Sequence, residues 1–316
     1  MIYITVVLLL FAGMLLYIKL ANKYLIIDNP NDRSSHSTPT VRGGGIIFVL
    51  SILLAGVSYY TDYGLAIIGT LLIATISFLD DNINISRLLR FSFHLLAVTL
   101  LFVYDQVFND LPVWAIIALY ILVVGIINAY NFMDGINGIT GLYSLAVLGS
   151  LQYVNLLLFP FIEPDMIWFP MLACLVFLYF NLRKKALVFA GDIGSISMAF
   201  WISFLLLDLI LKSGNWLYIL FLTVYGVDTV LTIIHRLILG QNIFEAHRLH
   251  FYQVLVNDKK ISHRLVALIY AFLQIIISVF VIKSGLSPVY TFLVATLFLV
   301  IIYITMKPKL MQQSIK

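Results

Sequence analysis

The chain alternates long apolar stretches with short polar breaks. Eleven stretches fall at roughly residues 2–20, 44–60, 64–79, 91–107, 111–127, 139–159, 166–180, 195–211, 216–234, 265–283 and 288–306. Each is close to the ~20 residues that cross a bilayer as a helix. The pattern predicts an all-α polytopic integral membrane protein. Residues 1–316 form a single membrane-embedded domain, and the polar breaks carry its chemistry. The first stretch shows no small-residue cleavage site behind a short apolar core, which points to a retained helix and not a removed leader.

Composition narrows the picture further. Of 316 residues, 62% are hydrophobic and 11% charged, with a mean hydropathy of +1.04. A soluble domain is roughly 45–50% apolar and about 25% charged. A disordered chain, a coiled coil and an ordinary soluble enzyme are excluded. The lone Cys174 rules out an internal disulfide and a cysteine-built zinc or iron–sulfur site. A pI near 9.0 suggests nucleic acid until the basic residues are placed. All of the 19 Lys and Arg residues except Lys212 and Lys283 fall in the breaks on one side. That bias predicts an outside N-terminus and a cytoplasmic C-terminus, and it accounts for the basic pI without a nucleic-acid partner.

The breaks on that side hold the unusual polar residues. The first runs from Asp28 to Gly45 and contains His36, Arg42 and three consecutive glycines before the second stretch. Such glycines can bring backbone N–H groups to an anion, although an isolated triple glycine is more often a flexible turn. The second opens with Asp80-Asp81 at the C-terminal end of the third stretch. There the two carboxylates repel each other and meet the negative end of a helix dipole, so a cation or a mobile proton would relieve them. The third, Asn128 to Gly141, has no Lys or Arg but offers Asn128, Asn131, Asp134 and Asn137 between glycines. If the fifth helix continues through it, Asn131 and Asp134 share a face, an oxygen set suited to a hard cation or a base edge. Asp192 opens the eighth stretch, where an ordinary helix cap is an equal reading. The longest break clusters His235, Arg236, His247, Arg248 and His250, donors matched to phosphate oxygens. Asp228 lies within the ninth stretch and requires a partner. An acidic and amide cluster beside a basic patch on one membrane side is the composition of a metal-assisted phosphoryl-transfer site.

These motifs carry a resemblance over essentially the whole chain. In order they are His36…Arg42-Gly-Gly-Gly, Asp80-Asp81, Asn128-Ala-x-Asn131-x-x-Asp134-Gly-x-x-Gly138, Gly191-Asp192-x-Gly-Ser and His247-x-x-His250. The sequence resembles the polyprenyl-phosphate N-acetylhexosamine-1-phosphate transferases, glycosyltransferase family 4. The resemblance implies transfer of a sugar-1-phosphate from a UDP-N-acetylhexosamine to undecaprenyl phosphate in the bilayer, with release of UMP. It makes Asn131 and Asp192 ligands of Mg²⁺, for which Mn²⁺ could substitute, and Asp80 and Asp81 the catalytic pair at the lipid phosphate. Asp134 and Asn137 would contact the nucleotide, with His36, Arg42, His247, Arg248 and His250 around the substrate. It also implies an inner-membrane enzyme with its site facing the cytoplasm, and leaves a homodimer open. Three positions depart from the pattern: Asn84 ends the Asp-Asp-x-x-Asp run, Val41 precedes Arg42, and the last motif reads His-Arg-Leu-His. The last favours the branch that starts O-antigen, teichoic-acid or capsule glycans over the muramyl-pentapeptide branch. The rival class is a transporter, which many helices and an intramembrane Asp228 would also permit. It should gather polar groups at the midplane and show repeated halves.

Overall fold

The computed structural model describes residues 1–30, 38–83, 85–242 and 248–312. His36, Asn84 and His247 therefore lie outside the described residues. Helices dominate: α1 (Ile2–Lys23), α2 (Ile46–Asn82), α3 (Arg87–Tyr104), the short α4 (Val107–Asp110), α5 (Val113–Met133), α6 (Ile139–Leu157), α7 (Asp165–Asn181) and α8 (Gly191–Ser213). They continue through a 3₁₀ segment, Trp216–Leu222, into α9 (Thr223–Ile238), α10 (Phe251–Gln253), α11 (His263–Lys283) and α12 (Pro288–Gln312). Eight helical segments among the described residues are long and apolar enough to cross a membrane. Asp165–Asn181 is shorter, and α6 carries Ser144, Ser150, Gln152 and Asn155 along its length.

The apolar stretches expected at 44–60 and 64–79 form one 37-residue element, not two separate helices. Non-helical backbone at Tyr59 and Tyr63 interrupts it. Val49 and Ala74 share one buried cluster, and a Cβ on Gly56 would press on Ile67. In a straight helix Val49 and Ala74 would stand about 37 Å apart at 1.5 Å per residue. The element is therefore a helical hairpin, and its two arms return to the same end of the bundle.

The centre of the bundle is α8, buried continuously from Ile193 to Leu209, with the α2 hairpin and α5 packed on it. Its last turn closes at Gly214 in the left-handed region (φ 68°), which glycine adopts without a Cβ penalty. The outer helices keep large apolar side chains exposed, among them Ile121 on α5 and Ile301 on α12, the surface a bilayer would cover. A two-stranded antiparallel ribbon, β1 (Ile27–Asp28) with β2 (Thr40–Val41), extends by a bridge from Val41 to Val188. It ties the connection after α1 to the connection before α8.

The three glycines do not present an open anion cradle. Gly44 N and Gly45 N donate to Phe189 O (2.8 Å) and Ala190 O (3.0 Å). A Cβ on Gly45 would collide with the Gly194 backbone, so the hairpin and α8 meet backbone to backbone at their N-terminal ends. Overpacking of this kind costs about 1–3 kcal/mol. Gly45→Ala should lower the thermal unfolding temperature in detergent. Gly125→Ala, where nothing lies within 4 Å of the added Cβ, should leave it unchanged.

Candidate active site

The polar breaks after α1, α3's start, α5, α7 and α9 converge on one end of the bundle because the hairpin, α5 and α8 all terminate there. Asp81 is the joint. Its side chain is 1% exposed, and Oδ1 pairs with Arg42 Nη2 at 2.6 Å. The same carboxylate accepts from Asp192 N (3.2 Å) and Ile193 N (3.3 Å). It thus caps the first turn of α8 from another helix, where a negative charge meets the positive end of the dipole. Tyr17 Oη donates to Arg42 O (2.6 Å) and fixes the arginine from α1.

Asp80 points the other way. Its Oδ2 pairs with Arg90 Nη1 at 2.5 Å, and its Oδ1 accepts from Ile85 N at 3.3 Å. Asp192 lies between the two arginines, 3.5 Å from Arg42 and 3.9 Å from Arg90. Both separations exceed a hydrogen bond, so the guanidinium groups balance Asp192 without saturating its oxygens. Asn131, in the last turn of α5, accepts from Ser195 Oγ at 2.8 Å and stands beside the Asp192 carboxylate. Arg42 is held above its ordinary pKa: burial opposes this, but Asp81 and Asp192 outweigh it.

Helix α5 stops at Met133, so Asp134 is its C-terminal cap and not a further helical position. The next helix starts only after Gly138 at φ 87°. Asp134 accepts a short hydrogen bond from Thr140 Oγ1. Burial lifts its pKa to about 7 against the opposing Thr140 bond, and the neighbouring Asp192 and Asp81 add to the rise. Asn137 is buried and braces the connections: its Nδ2 donates to Arg183 O (2.9 Å) and its backbone N to His263 Nδ1 (3.3 Å). Asn181 does similar work, accepting from Gly138 N and donating to Val188 O.

The basic break is anchored from inside the bundle. Asp228 Oδ1 accepts from Phe251 N (2.8 Å) and Thr232 Oγ1 (3.2 Å), and Oδ2 from Tyr270 Oη (2.8 Å). His250 Nδ1 stands 3.5 Å from the same carboxylate. The intramembrane acid expected to need a partner therefore has several, all fixed, and gives no support to a transport role. Tyr252 Oη donates to Phe132 O (3.0 Å), which places His250 beside the end of α5. Its ring lies 6.4 Å from Phe132. Arg248 is half-buried at the rim.

Arg90 is the site residue that sequence reasoning missed. It sits in the first turn of α3, where a cation is read as a topology signal, and only the fold brings it ten positions back to Asp80. Ser195 and Thr140 gave no signal beyond their motif neighbours. For a metal, the donor chemistry fits a hard divalent cation. Asp192 offers unsaturated carboxylate oxygens, with the Asn131 amide beside it and Asp80 across the cleft. No three His, Cys, Asp or Glu side chains among the described residues form a closed metal cage. A partly filled shell is the usual state of Mg²⁺, which completes it with water and substrate phosphate.

This arrangement defines a polytopic helical membrane protein with a carboxylate–guanidinium site at one end. A family model described as glycosyl transferase family 4 matches residues 63–210. The chain is 27% identical over 289 residues to the Bacillus subtilis protein "Probable undecaprenyl-phosphate N-acetylglucosaminyl 1-phosphate transferase", covering 84% of this chain and 80% of that one. It is 24% identical over 305 residues to the Mycobacterium leprae decaprenyl-phosphate N-acetylglucosaminephosphotransferase, covering 81% and 76%. It is also 27% identical over 239 residues to the Thermotoga neapolitana phospho-N-acetylmuramoyl-pentapeptide-transferase, covering 70% and 76%. The chain is thus similar to glycosyl transferase family 4 over residues 63–210 and, at 24–27% identity, to polyprenyl-phosphate sugar-phosphate transferases over most of its length.

The raised pKa of Asp134 carries a sign for stability. Folding favours its protonated form, so its contribution is full below the ordinary carboxylate pKa and is lost as pH rises through about 7. Asp134→Asn keeps the acceptor for Thr140 and removes the ionisation. Its melting temperature relative to the parent should rise between pH 5 and pH 8, and parallel melts at the two pH values check it.

Proposed function

We propose that the chain transfers an N-acetylhexosamine-1-phosphate from a UDP-sugar to a polyprenyl phosphate and releases UMP, at the cytoplasmic face of the bacterial inner membrane. The observation that carries this reading is the meeting of Asp80, Asp192, Asn131 and Asp134 with Arg42 and Arg90 at one end of a membrane bundle. The named activities of the three relatives agree with it.

In this reading an oxygen of the lipid phosphate attacks the sugar-bearing phosphorus, and the bond to the UMP oxygen breaks. Arg90, held by Asp80, meets the incoming phosphate, and Arg42, held by Asp81, faces the diphosphate. Asp192 and Asn131 would hold Mg²⁺, which when bound neutralises charge on the departing nucleotide. Asp81 keeps the α8 N-terminus in register and is too enclosed to exchange protons freely, which leaves Asp80 as the carboxylate nearest the acceptor. His250 and Arg248 border the donor side. A largely apolar groove of about 420 Å³ suits the chain of a lipid acceptor. It runs between α5 and α8 past Trp114, Leu122 and Ile126. Its lining runs from Leu111 and Trp216, at the end of the bundle opposite the site, to Ile126, about 7.5 Å of helix rise before Asn131. The His-Arg-Leu-His motif favours a donor without a muramyl peptide, for an O-antigen, teichoic-acid or capsule glycan.

Membranes containing the protein should release UMP from a UDP-N-acetylhexosamine only when polyprenyl phosphate is added. Asp192→Asn should cut turnover by about 10²-fold or more and weaken Mg²⁺ dependence while the protein still inserts. Asp80→Asn should abolish turnover with donor binding largely kept. Wild-type turnover in Asp192→Asn would contradict the metal assignment. The orientation has its own test: a cysteine at the exposed Asp258 should react with an impermeant maleimide in inside-out vesicles and not in intact cells, with the buried Cys174 silent in both.

A further inference from the structure

A second polar cavity, about 460 Å³, opens at the same end of the bundle, away from the Asp80–Asp192 cleft. Arg183 and Lys184, from the connection between α7 and α8, form one wall. Lys260, His263 and Arg264, at the start of α11, form the other. No acidic side chain is among the described residues that line it. Topology alone requires basic residues near the membrane surface, but it does not require them around a single volume that no described acidic side chain lines. The repulsion among Arg183, Lys184, Lys260 and Arg264 is relieved by an anion in that volume.

Two further observations support an anion there. Asn257 also lines the cavity, and its Nδ2 is buried with no acceptor among the described residues. A buried donor left unpaired is costly and calls for an oxygen partner. The N-terminus of α11, a 21-residue helix capped by Ser262, adds the positive end of its dipole to the same wall. Immediately below, Leu265, Leu268 and Phe272 on α11 are exposed apolar side chains, so the cavity lies where the apolar belt ends, at the height of lipid headgroups.

We propose that this cavity binds a phosphate group and that its position favours the phosphodiester headgroup of an anionic phospholipid. The site stands apart from the transfer reaction and does not depend on it. It touches the active site through Asn137, which hydrogen-bonds Arg183 O and His263 Nδ1, so an occupant would stiffen the connection that carries Asp134. The same chemistry would accept a nucleotide phosphate, and the experiment separates the two sources.

Purified full-length protein is examined by native mass spectrometry with phosphatidylglycerol or phosphatidylcholine, and by calorimetry with UMP. The parent should retain phosphatidylglycerol in preference to phosphatidylcholine. Combined Lys184→Gln, Lys260→Gln and Arg264→Gln should reduce that retention about tenfold or more with UMP affinity kept, which identifies the headgroup. A tenfold loss of UMP affinity with lipid retention unchanged identifies the nucleotide phosphate as the occupant. Retention and UMP affinity both unchanged would overturn the site. Asn257→Leu, which removes the unpaired donor at constant charge, is read in the same two assays and decides the question if the triple variant does not fold.

Discussion

The site depends on one buried carboxylate. Asp81 closes the N-terminus of α8 through two backbone N–H groups and holds Arg42 with the same oxygens. An uncompensated charge at 1% exposure would be severely destabilising. Here a guanidinium and a helix dipole both compensate it. Because Asp81 belongs to the hairpin, Arg42 to the ribbon connection and α8 to the core, this single interaction sets the position of Asp192. Asp80, adjacent in sequence and opposite in direction, is thereby freed to face the cleft with Arg90.

Close backbone packing makes that interaction reachable. Gly45 and Gly194 remove the side-chain layer between the hairpin and α8, and the main-chain bonds from Gly44 and Gly45 to Phe189 and Ala190 hold the approach. The glycines act in packing here, and the charged side chains around them deal with anions. The division explains why a motif that reads as a phosphate loop contributes its arginine to the site while its N–H groups are already engaged.

Much of the architecture was legible because a bilayer demands long apolar segments: the eleven stretches are largely helical, and eight described segments are long and apolar enough to cross a membrane. The hairpin was not legible as one element, since apolar periodicity carries no information on whether a polar pause between stretches is a loop or a tight turn at Tyr59–Tyr63. The end of α5 at Met133 was equally hidden, because Asn and Gly are compatible with a helix end at several positions. Asp80, Asp192, Asn131, Asp134 and Arg42 were candidates in the sequence, by residue type and by resemblance, and the fold brings them to one end of the bundle. Arg90 was concealed by its second meaning as a topology signal. Asn137 was recognisable as unusual, but its bracing contacts to Arg183 and His263 depend on a tertiary approach that spacing does not encode.

The hairpin places the glycine motif and the Asp80–Asp81 motif on the two feet of one folded unit whose turn lies at the far surface. Both feet stand on α8, which has almost no contact with lipid. Membranes differ in hydrocarbon thickness, and spanning helices answer by tilting. In this molecule α1 and α12 have broad lipid-facing surfaces and carry none of the ion pairs around Asp192, so they are the ones free to tilt. The two feet and α8 would move as a block. The distance between Asp80 and Asp192 is thereby insulated from membrane thickness, and Asn131, bonded to Ser195 of α8, stays with that block.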